Sequence, residues 1–196
     1  IVILSEKITL NESIHGIYTI HLEKTIQIGA EAVTIRPAKP VDERRIQEHF
    51  YNLDKDDVVA RFFHEKTSFL QEEVEGVSQI DYVKDLTVVA VVGEFGFGRV
   101  VAIGEYLIDL ATNVAEIAFS VSKDYQKKGM GKILLKKLAS AARENHISGL
   151  VAYTSPRNRG MIKLFNQLPY KVNTFFDGDM LTLRCMFDEP AEKKGA

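Results

Sequence analysis

Apolar and polar residues alternate along the middle of the chain, from Val114 to Val121. One face of this stretch carries Ala115, Ile117, Phe119 and Val121, and the other carries Glu116, Ala118 and Ser120. A period of two predicts a β-strand. Apolar residues then recur at helical spacing, at Leu134, Leu135, Leu138, Ala141 and Ala142. The pattern therefore predicts a strand, a short loop and an amphipathic helix in succession.

The same two periods recur elsewhere in the chain. They predict further strands at 33–38, 86–93, 99–108, 150–154, 172–176 and 180–187. They predict four helices. The first spans about 41–53, and a short second helix follows a cap at Asp54. The third spans about 69–77 after a cap at Ser68, and the fourth spans 158–168. Two phenylalanines and two glycines at 95–98 are typical of a hairpin turn. Strands and helices thus alternate through most of the sequence.

The length of 196 residues favours one domain with a modest appendage. We expect an N-terminal linker or arm at 1–30, one domain at 31–188 and a polar tail at 189–196. The sequence starts at Ile1 rather than at a methionine, which is compatible with a fragment or an incomplete view of a longer protein. His15 and His21 in the arm are expected to be solvated rather than metal ligands.

Composition excludes several classes of function. The net charge is −2 and no basic stripe with interleaved aromatics is present, so a nucleic-acid partner is not expected. The longest uncharged apolar run, 86–93, is far too short to span a membrane. The single cysteine, Cys185, excludes an internal disulfide and a cysteine-based zinc site, and we expect it to be a buried core residue. No metal is predicted, and because no secretory signal is visible we expect a cytoplasmic location.

The loop before the predicted helix has the composition of an anion site. Gly129 and Gly131 would let the backbone turn and approach a bulky group, and Lys127, Lys128 and Lys132 add positive charge. The first amides of a helix lack internal partners and lie at the positive end of its dipole. This arrangement suits a phosphate or pyrophosphate. The alternative is a turn that needs two glycines and has solvated lysines, and the GxxxxGK[ST] spacing of a Walker loop is absent.

The whole stretch resembles the acyl-CoA loop of the GNAT N-acetyltransferases, [Gln/Arg]-x-x-Gly-x-[Gly/Ala] after a strand. The matching residues are Val121, Gln126, Gly129 and Gly131. The resemblance covers about 33–187. It implies an α/β (α+β) GNAT fold, with a mixed, mostly antiparallel sheet of about six to seven strands flanked by helices. A parallel central pair of strands is expected to splay around the acyl-CoA.

The N-terminal half is similar to one branch of that superfamily, the Pat-type protein lysine acetyltransferases. The similarity lies in Thr34-Ile35-Arg36-Pro37 followed by Asp42, in Arg61-Phe62-Phe63 and in Ile80-Asp81-Tyr82. Such domains are often fused to an acyl-CoA enzyme, so the resemblance implies a fused or neighbouring partner of that kind. Arg61-Phe62-Phe63-His64 is interpreted either as core packing or as a wall of the acceptor site.

Glu116 is the candidate general base. A carboxylate in a central strand is costly unless it faces a cleft or a partner. The glutamate of the Ala-Glu-x-Ala strand is the proposed base in the Pat-type family, and Glu116 matches it. The alternative is a structural ion pair with an arginine or lysine on the next strand.

The resemblance also implies a set of acetyl-CoA contacts. A backbone amide near Phe119 or Ser120 would stabilise the oxyanion, and the strand to Val121 would pair with the pantetheine arm. The pyrophosphate would be held by Gln126, Lys127, Lys128, Gly129, Met130, Gly131 and Lys132. Asn158 is either a pantetheine contact or the N-cap of the last helix, with Ser155 as a rival cap.

One position departs from the family pattern. GNAT enzymes often have a tyrosine on the last helix that protonates the departing thiolate, whereas Phe165 occupies that place here. Tyr153 and Ser155 are candidate substitutes. We expect an acetyl-CoA-dependent N-acetyltransferase that acts on an amine, with protein lysine as the first choice. The alternatives are a small-molecule amine N-acetyltransferase and a non-catalytic acyl-CoA-sensing regulatory domain.

Overall fold

The computed structural model describes residues 23–63, 66–69, 74, 84–93 and 98–191. Its strands are β1 (Lys24–Ile28), β2 (Glu31–Pro37), β3 (Asp85–Val92), β4 (Arg99–Asp109), β5 (Val114–Val121), β6 (Gly149–Thr154), β7 (Tyr170–Asp177) and β8 (Met180–Pro190). Its helices are α1 (Glu43–Tyr51), α2 (Lys55–Phe62), α3 (Met130–Glu144) and α4 (Arg159–Phe165). Short 3-10 turns at Pro40–Asp42 and Lys123–Tyr125 precede α1 and α3.

All eight strands form one sheet in the order β1-β2-β3-β4-β5-β6-β8-β7. Every neighbouring pair is antiparallel except β5 and β6, which are parallel. The sheet has one strand more than the upper bound predicted, because β1 pairs with β2 across a turn at Gly29, whose φ is +64°. The predicted class and the parallel central pair are confirmed.

The parallel pair opens within a few residues. The two strands are in register at three positions, and the last of these joins Glu116 to Val151. Beyond Glu116, β5 continues to pair with β4 as far as Val121, while β6 continues with β8. The sheet therefore splits into two halves at Glu116, and the split leaves a cleft along the second half of β5.

The helices cover the two faces of the sheet and bury two cores. On one face α3 and α4 pack against a large apolar cluster that includes Leu134, Leu138 and Phe165. On the other face α1 and α2 pack against a smaller cluster that includes Ile46, Phe50 and Val58. Cys185 belongs to the larger core, where burial raises the pKa of its thiol to about 11.

A buried ion pair ties β2 to the start of α1. The Arg36 guanidinium donates to both carboxylate oxygens of Asp42, at 2.6 and 2.8 Å, and the backbone N–H of Lys39 donates to the same carboxylate at 2.9 Å. Burial by itself would raise the pKa of Asp42, but these hydrogen bonds, with a further one from Arg45, hold it below its usual value. The Arg36-Pro37 motif and Asp42 thus form one structural unit.

The ends of two elements near the C-terminus differ clearly from the predicted ones. The last helix ends at Phe165 instead of Leu168, because the chain makes shorter-range turns before Pro169. The final strand runs to Pro190, so two residues of the predicted tail belong to the sheet. The predicted arm before 23, most of the predicted 69–77 helix and the predicted turn at 95–97 lie outside the described residues, as do His64 and Ile80-Asp81-Tyr82.

Candidate active site

A cavity of about 690 Å³ occupies the cleft between the two halves of the sheet. It extends from Glu116 on β5 to the N-terminal end of α3, with α2 and α4 on its sides. The predicted site residues that line it are Glu116, Phe119, Ser120, Val121, Gln126, Lys127, Gly129, Met130, Gly131, Lys132 and Asn158. The structure thus brings together all of the predicted site residues except Lys128.

Lys128 lies next to the loop tyrosine rather than among the lining residues. Its ammonium lies 5.5 Å from the centre of the Tyr125 ring. Tyr125 is buried, donates a hydrogen bond to Glu31 and accepts one from Arg99 at 3.1 Å. These contacts anchor the loop to the β1–β2 hairpin and to the start of β4. The predicted role of Lys128 as a direct contact stays a prediction.

The loop leaves the first amides of α3 unpaired within the helix. The first hydrogen bond of the helix runs from Ile133 N to Gly129 O, at 3.2 Å. The amides of Met130, Gly131 and Lys132 precede it, so they have no acceptor in the helix itself. Gly129 and Lys127 have φ values of +85° and +58°, which turn the chain into α3. This end of the cavity therefore combines free donors with the positive end of a 15-residue helix.

The two glycines serve different purposes. A Cβ at Gly129 would meet nothing within 4 Å, so this glycine is needed for its backbone conformation. A Cβ at Gly131 would lie 2.9 Å from Cδ1 of Leu164. A side chain at Gly131 would therefore require the Leu164 side chain on α4 to shift, a packing contact that the sequence alone did not reveal.

Gln126 contributes its side chain to the protein rather than to the cavity centre. Its Nε2 donates to Asp57 Oδ2 at 2.8 Å and to the carbonyl of Val121 at 3.1 Å. Burial raises the pKa of Asp57, the hydrogen bond from Gln126 opposes this, and the neighbouring carboxylates reinforce it. Gln126 thus ties the glycine loop to the end of β5 on one side and to α2 on the other.

Glu116 lies at the point where the parallel pair opens. Burial raises the pKa of its carboxyl, the charge of Arg61 lowers it and the charge of Glu105 raises it. Within the described part of the chain Glu116 belongs to no salt bridge, because Arg61 pairs with Glu105 instead. The alternative of a structural ion pair for Glu116 is therefore not supported by the geometry. A carboxyl in a cleft whose pKa is shifted by burial and by specific neighbouring charges is a candidate group for proton transfer.

A buried histidine on α1, which sequence reasoning did not single out, forms hydrogen bonds to the end of β5. His49 on α1 hydrogen-bonds through Nε2 to Ser120 Oγ at 2.9 Å and through Nδ1 to Ser122 Oγ at 3.3 Å. Burial lowers the pKa of His49 to about 4, and a backbone hydrogen bond at Val100 opposes this shift. The neutral imidazole therefore fixes the Ser120 side chain on the α1 side of the sheet.

His49 should make the fold sensitive to acid. Its folded pKa of about 4 lies below the model-peptide value of 6.5, so the unfolded chain binds more protons between these limits and stability falls as pH drops through that window. The loss should total about 3 kcal/mol. Urea unfolding at pH 7.5 and pH 4.5 measures it, and His49→Gln should flatten the dependence. An NMR titration of His49 with a midpoint near 6.5 would contradict the prediction.

The structure confirms one of the two roles considered for Asn158, that of the N-cap of α4. Asn158 Oδ1 accepts from Met161 N at 3.0 Å, so Asn158 is the N-cap, while Ser155 Oγ accepts from Arg157 N. The amide group of Asn158 remains on the cavity wall. Phe165 is completely buried and cannot donate a proton, whereas Tyr153 lines the cavity with a partly exposed side chain.

Several lining residues were not predicted. Asp57 comes from α2, and Lys163, Leu164 and Gln167 come from α4 and the turn after it. Arg61 stood within a predicted wall motif, and Phe63 does line the cavity, but Phe62 packs in an aromatic cluster with Phe50 and Phe69. A helical period shows which residues face the core, but it does not show which of the remaining residues face a cleft formed by distant strands.

A second cavity of about 280 Å³ shares Glu116 and Tyr153 with the first. Its other walls come from the exposed face of β4, β6, β7 and β8, including Leu107, Phe175 and Arg184. Leu107 and Phe175 are about 60% and 58% exposed respectively. Glu116 therefore lies between a long cleft and an open apolar surface.

Two kinds of site can be assessed directly. In the part of the chain described above, no group of three His, Cys, Asp or Glu side chains is placed to hold a metal ion. Among the same residues, no helix combines the length and apolar character needed to cross a membrane.

A splayed parallel pair with a glycine loop at a helix N-terminus suits a ligand that lies along a strand edge and carries phosphates. The sequence profile described as Acetyltransferase (GNAT) family matches residues 47–168, and the chain belongs to this family. GNAT enzymes transfer acetyl groups from acetyl-CoA, so the chain is an acetyl-CoA-dependent acetyltransferase.

Individual relatives agree with this assignment. The chain is 29% identical over 129 residues to acetyltransferase PA5475 of Pseudomonas aeruginosa, covering 66% of this chain and 69% of that protein. The GNAT domain of S. lividans PAT superposes with a TM-score of 0.75 at 24% identity, covering 87% of this chain and 99% of the other. yncA of Salmonella typhimurium, a putative acetyltransferase solved with acetyl-CoA, gives a TM-score of 0.61 at 21% identity, with 84% and 96% covered.

Proposed function

We propose that the protein transfers an acetyl group from acetyl-CoA directly to the side-chain amine of a protein lysine, with Glu116 as general base. The observation that carries this proposal is the position of Glu116. It lies where β5 and β6 separate and it lines both cavities. One cavity leads to the glycine loop and the other opens on an exposed sheet face, so the two substrates can meet at this carboxylate.

The long cavity has the donors that acetyl-CoA requires. The pyrophosphate would bind the amides of Met130, Gly131 and Lys132, with the ammonium groups of Lys127 and Lys132 as counter-charges. Beyond Glu116 the edge of β5 that faces β6 has no strand partner among the described residues, so its backbone groups can pair with the amides of the pantetheine arm. The residues present therefore fit the cosubstrate.

Glu116 would make the acceptor amine nucleophilic. A lysine has an ordinary pKa near 10.4, so removing its proton at pH 7 costs about 4–5 kcal/mol. Glu116 accepts this proton, directly or through one water, and the amine nitrogen attacks the thioester carbonyl. The C–N bond forms, the oxyanion accepts a hydrogen bond from a backbone amide near Phe119 or Ser120, and the C–S bond then breaks.

The leaving thiolate does not depend strictly on an acid. A thiol has an ordinary pKa near 8.5, so its anion departs without prior protonation more readily than an alkoxide would. Tyr153 lies on the walls of both cavities and is the candidate that can return a proton to the sulfur. The buried Phe165 therefore does not argue strongly for the alternative of a non-catalytic sensor.

The acceptor side favours a protein over a small amine. A small amine needs an enclosed, acidic pocket, whereas the surface next to Glu116 is open and carries the exposed side chains of Leu107 and Phe175. Exposed apolar side chains beside a candidate catalytic group are typical of a protein contact. A fused or neighbouring acyl-CoA enzyme is one candidate acceptor.

An acceptor panel tests this proposal. The protein is incubated with acetyl-CoA and either lysine-containing proteins and peptides or small amines such as polyamines, and intact-mass spectrometry scores each acetyl addition of about 42 Da. Acetylation of protein lysines supports the proposal. Exclusive modification of small amines would support the first alternative, and tight acetyl-CoA binding without any transfer would support the sensor.

The lysines of the cavity should contribute to affinity for acetyl-CoA. Lys127→Gln/Lys132→Gln should raise KM for acetyl-CoA about three- to tenfold with little change in kcat, because each removes one exposed charge from the phosphates. The charge-matched control Lys136→Gln/Lys171→Gln changes two exposed lysines that do not line the cavity. Equal effects of the two double variants would contradict a specific phosphate site.

A further inference from the structure

Two carboxylates lie diagonally across β4 and β5 on the same face of the sheet. Glu105 is opposite Ala118, and Leu107 is opposite Glu116, so Glu105 and Glu116 are offset by two residues. Diagonal neighbours of this kind have Cα atoms roughly 7–8 Å apart, within reach of long side chains. Two negative charges at this separation disfavour each other unless a cation lies between or beside them.

Arg61 provides that cation from α2. Its guanidinium donates a hydrogen bond to Glu105, and the side chains of the pair are only 15% and 22% exposed. The guanidinium also lies 4.9 Å from the centre of the Phe62 ring, which in turn packs edge-on against Phe50 at 5.3 Å. Arg61 lines the same cavity as Glu116. Its position is therefore fixed by an ion pair on one side and an aromatic cluster on the other.

The titratable and charged groups that share the two cavities with Glu116 come from several elements. They are Asp57 and Arg61 from α2, Asp109 from β4, Tyr125, Lys127 and Lys132 from the glycine loop and the start of α3, Tyr153 from β6, Lys163 from α4 and Arg184 from β8, and Glu105 is added by the β4 register. Arg184 is separated from Glu116 by Val151 in the cross-strand row. Arg61 and Glu105 are the groups whose charges act most directly on Glu116, in opposite senses.

We infer that the Arg61–Glu105 ion pair is a positioning device that keeps Glu116 ionised at the pH of catalysis, an inference that rests on the proposed function of Glu116. Arg61 neutralises Glu105, so Glu116 does not face an uncompensated neighbour. Neither residue needs to touch a substrate for this purpose.

The two halves of the pair should have opposite effects. In Arg61→Gln the charge of Glu105 is unopposed, so Glu116 takes up its proton at a higher pH. In Glu105→Gln the guanidinium faces Glu116 without competition, so Glu116 stays ionised to a lower pH. Arg61→Lys should restore most of the wild-type behaviour, and the double variant Arg61→Gln/Glu105→Gln should fall between the two single variants.

The experiment reads Glu116 directly and through activity. Carboxyl ¹³C NMR of glutamate-labelled protein, with Glu116→Gln for assignment, should show its titration midpoint moving upward in Arg61→Gln and downward in Glu105→Gln. The acid limb of kcat/KM should move in the same directions, so that Arg61→Gln loses about threefold or more activity on that limb relative to its own plateau. Arg44→Gln, which breaks an exposed ion pair on α1, should move neither.

Two outcomes are decisive. Shifts in the same direction for both single variants, or no shift in either, overturn the inference, because a purely structural role would weaken both variants at every pH. Opposite NMR shifts without matching shifts in kcat/KM support the ion-pair inference but exclude Glu116 as the base. If Arg61→Gln does not fold, Glu105→Gln still tests the sign of the shift, and Arg61→Lys, which keeps the charge, should leave the midpoint close to that of the wild type.

Discussion

Glu116→Gln should lower kcat for lysine acetylation by about 10²- to 10⁴-fold at pH 7 while changing the affinity for acetyl-CoA by no more than about twofold. Glutamine keeps the size and the hydrogen-bonding atoms of the side chain but cannot accept a proton. The proposed pyrophosphate site is at the other end of the cavity, near α3, so cosubstrate binding should not depend on Glu116. Steady-state kinetics and calorimetric titration of acetyl-CoA measure the two quantities.

The pH dependence provides the control for this variant. As pH rises toward the pKa of a free lysine, about 10.4, the acceptor loses its proton without help and the deficit of Glu116→Gln should shrink. Glu116→Asp keeps the carboxylate but shortens the side chain by one methylene group, so it should have intermediate activity. A Glu116→Gln enzyme with wild-type turnover and normal acetyl-CoA affinity would show that the base is another group.

Asp42→Ala should reduce the free energy of unfolding by about 3–5 kcal/mol. Asp42 is completely buried and accepts hydrogen bonds from Arg36, Arg45 and the Lys39 backbone. Removing the carboxylate leaves the largely buried Arg36 guanidinium without its partner, and desolvation of an unpaired charge is expensive. Urea unfolding at pH 7.5 measures the loss.

The matched control breaks an exposed pair. Glu48→Ala removes the partner of Arg44 on α1, where both side chains are more than half exposed, and should cost no more than about 0.5 kcal/mol. Replacing both buried partners together, as in Arg36→Met/Asp42→Leu, should recover part of the loss of Asp42→Ala, because no charge is then left unpaired. Equal costs for Asp42→Ala and Glu48→Ala would contradict the assignment of a structural ion pair.

Much of the fold was readable from the sequence because its signals are local. The alternation around Glu116 reproduces β5 residue for residue, and the apolar spacing after Gly131 gives the buried side of α3. The glycine loop was recognisable because strand, turn and helix follow one another within about twenty residues. The edge strand β1 was missed because its short polar-apolar run has no distinct boundary except Gly29.

The parts that could not be read depend on contacts between distant segments. Arg61 meets Glu105 across 44 residues and His49 meets Ser120 across 71, and nothing in either segment specifies the partner. The composition of the loop likewise gave three equivalent lysines, whereas the tertiary structure turns Lys128 toward Tyr125 and leaves the other two on the cavity wall. The hydrophobic pattern shows which face of an element is buried, but it does not show which side chains from distant segments will contact each other.

Because β5 and β6 separate after Glu116, the second half of β5 has a strand partner on one edge and faces the cleft on the other. Successive backbone amides of a strand point to opposite edges, so between Ile117 and Val121 some pair with β4 while the others face the cleft. An acyl donor lying along this edge would act as a surrogate ninth strand. The hydrogen bonds that this donor makes between the two half-sheets would form and break in every catalytic cycle. The stiffness of the sheet would therefore depend on whether the cosubstrate is bound.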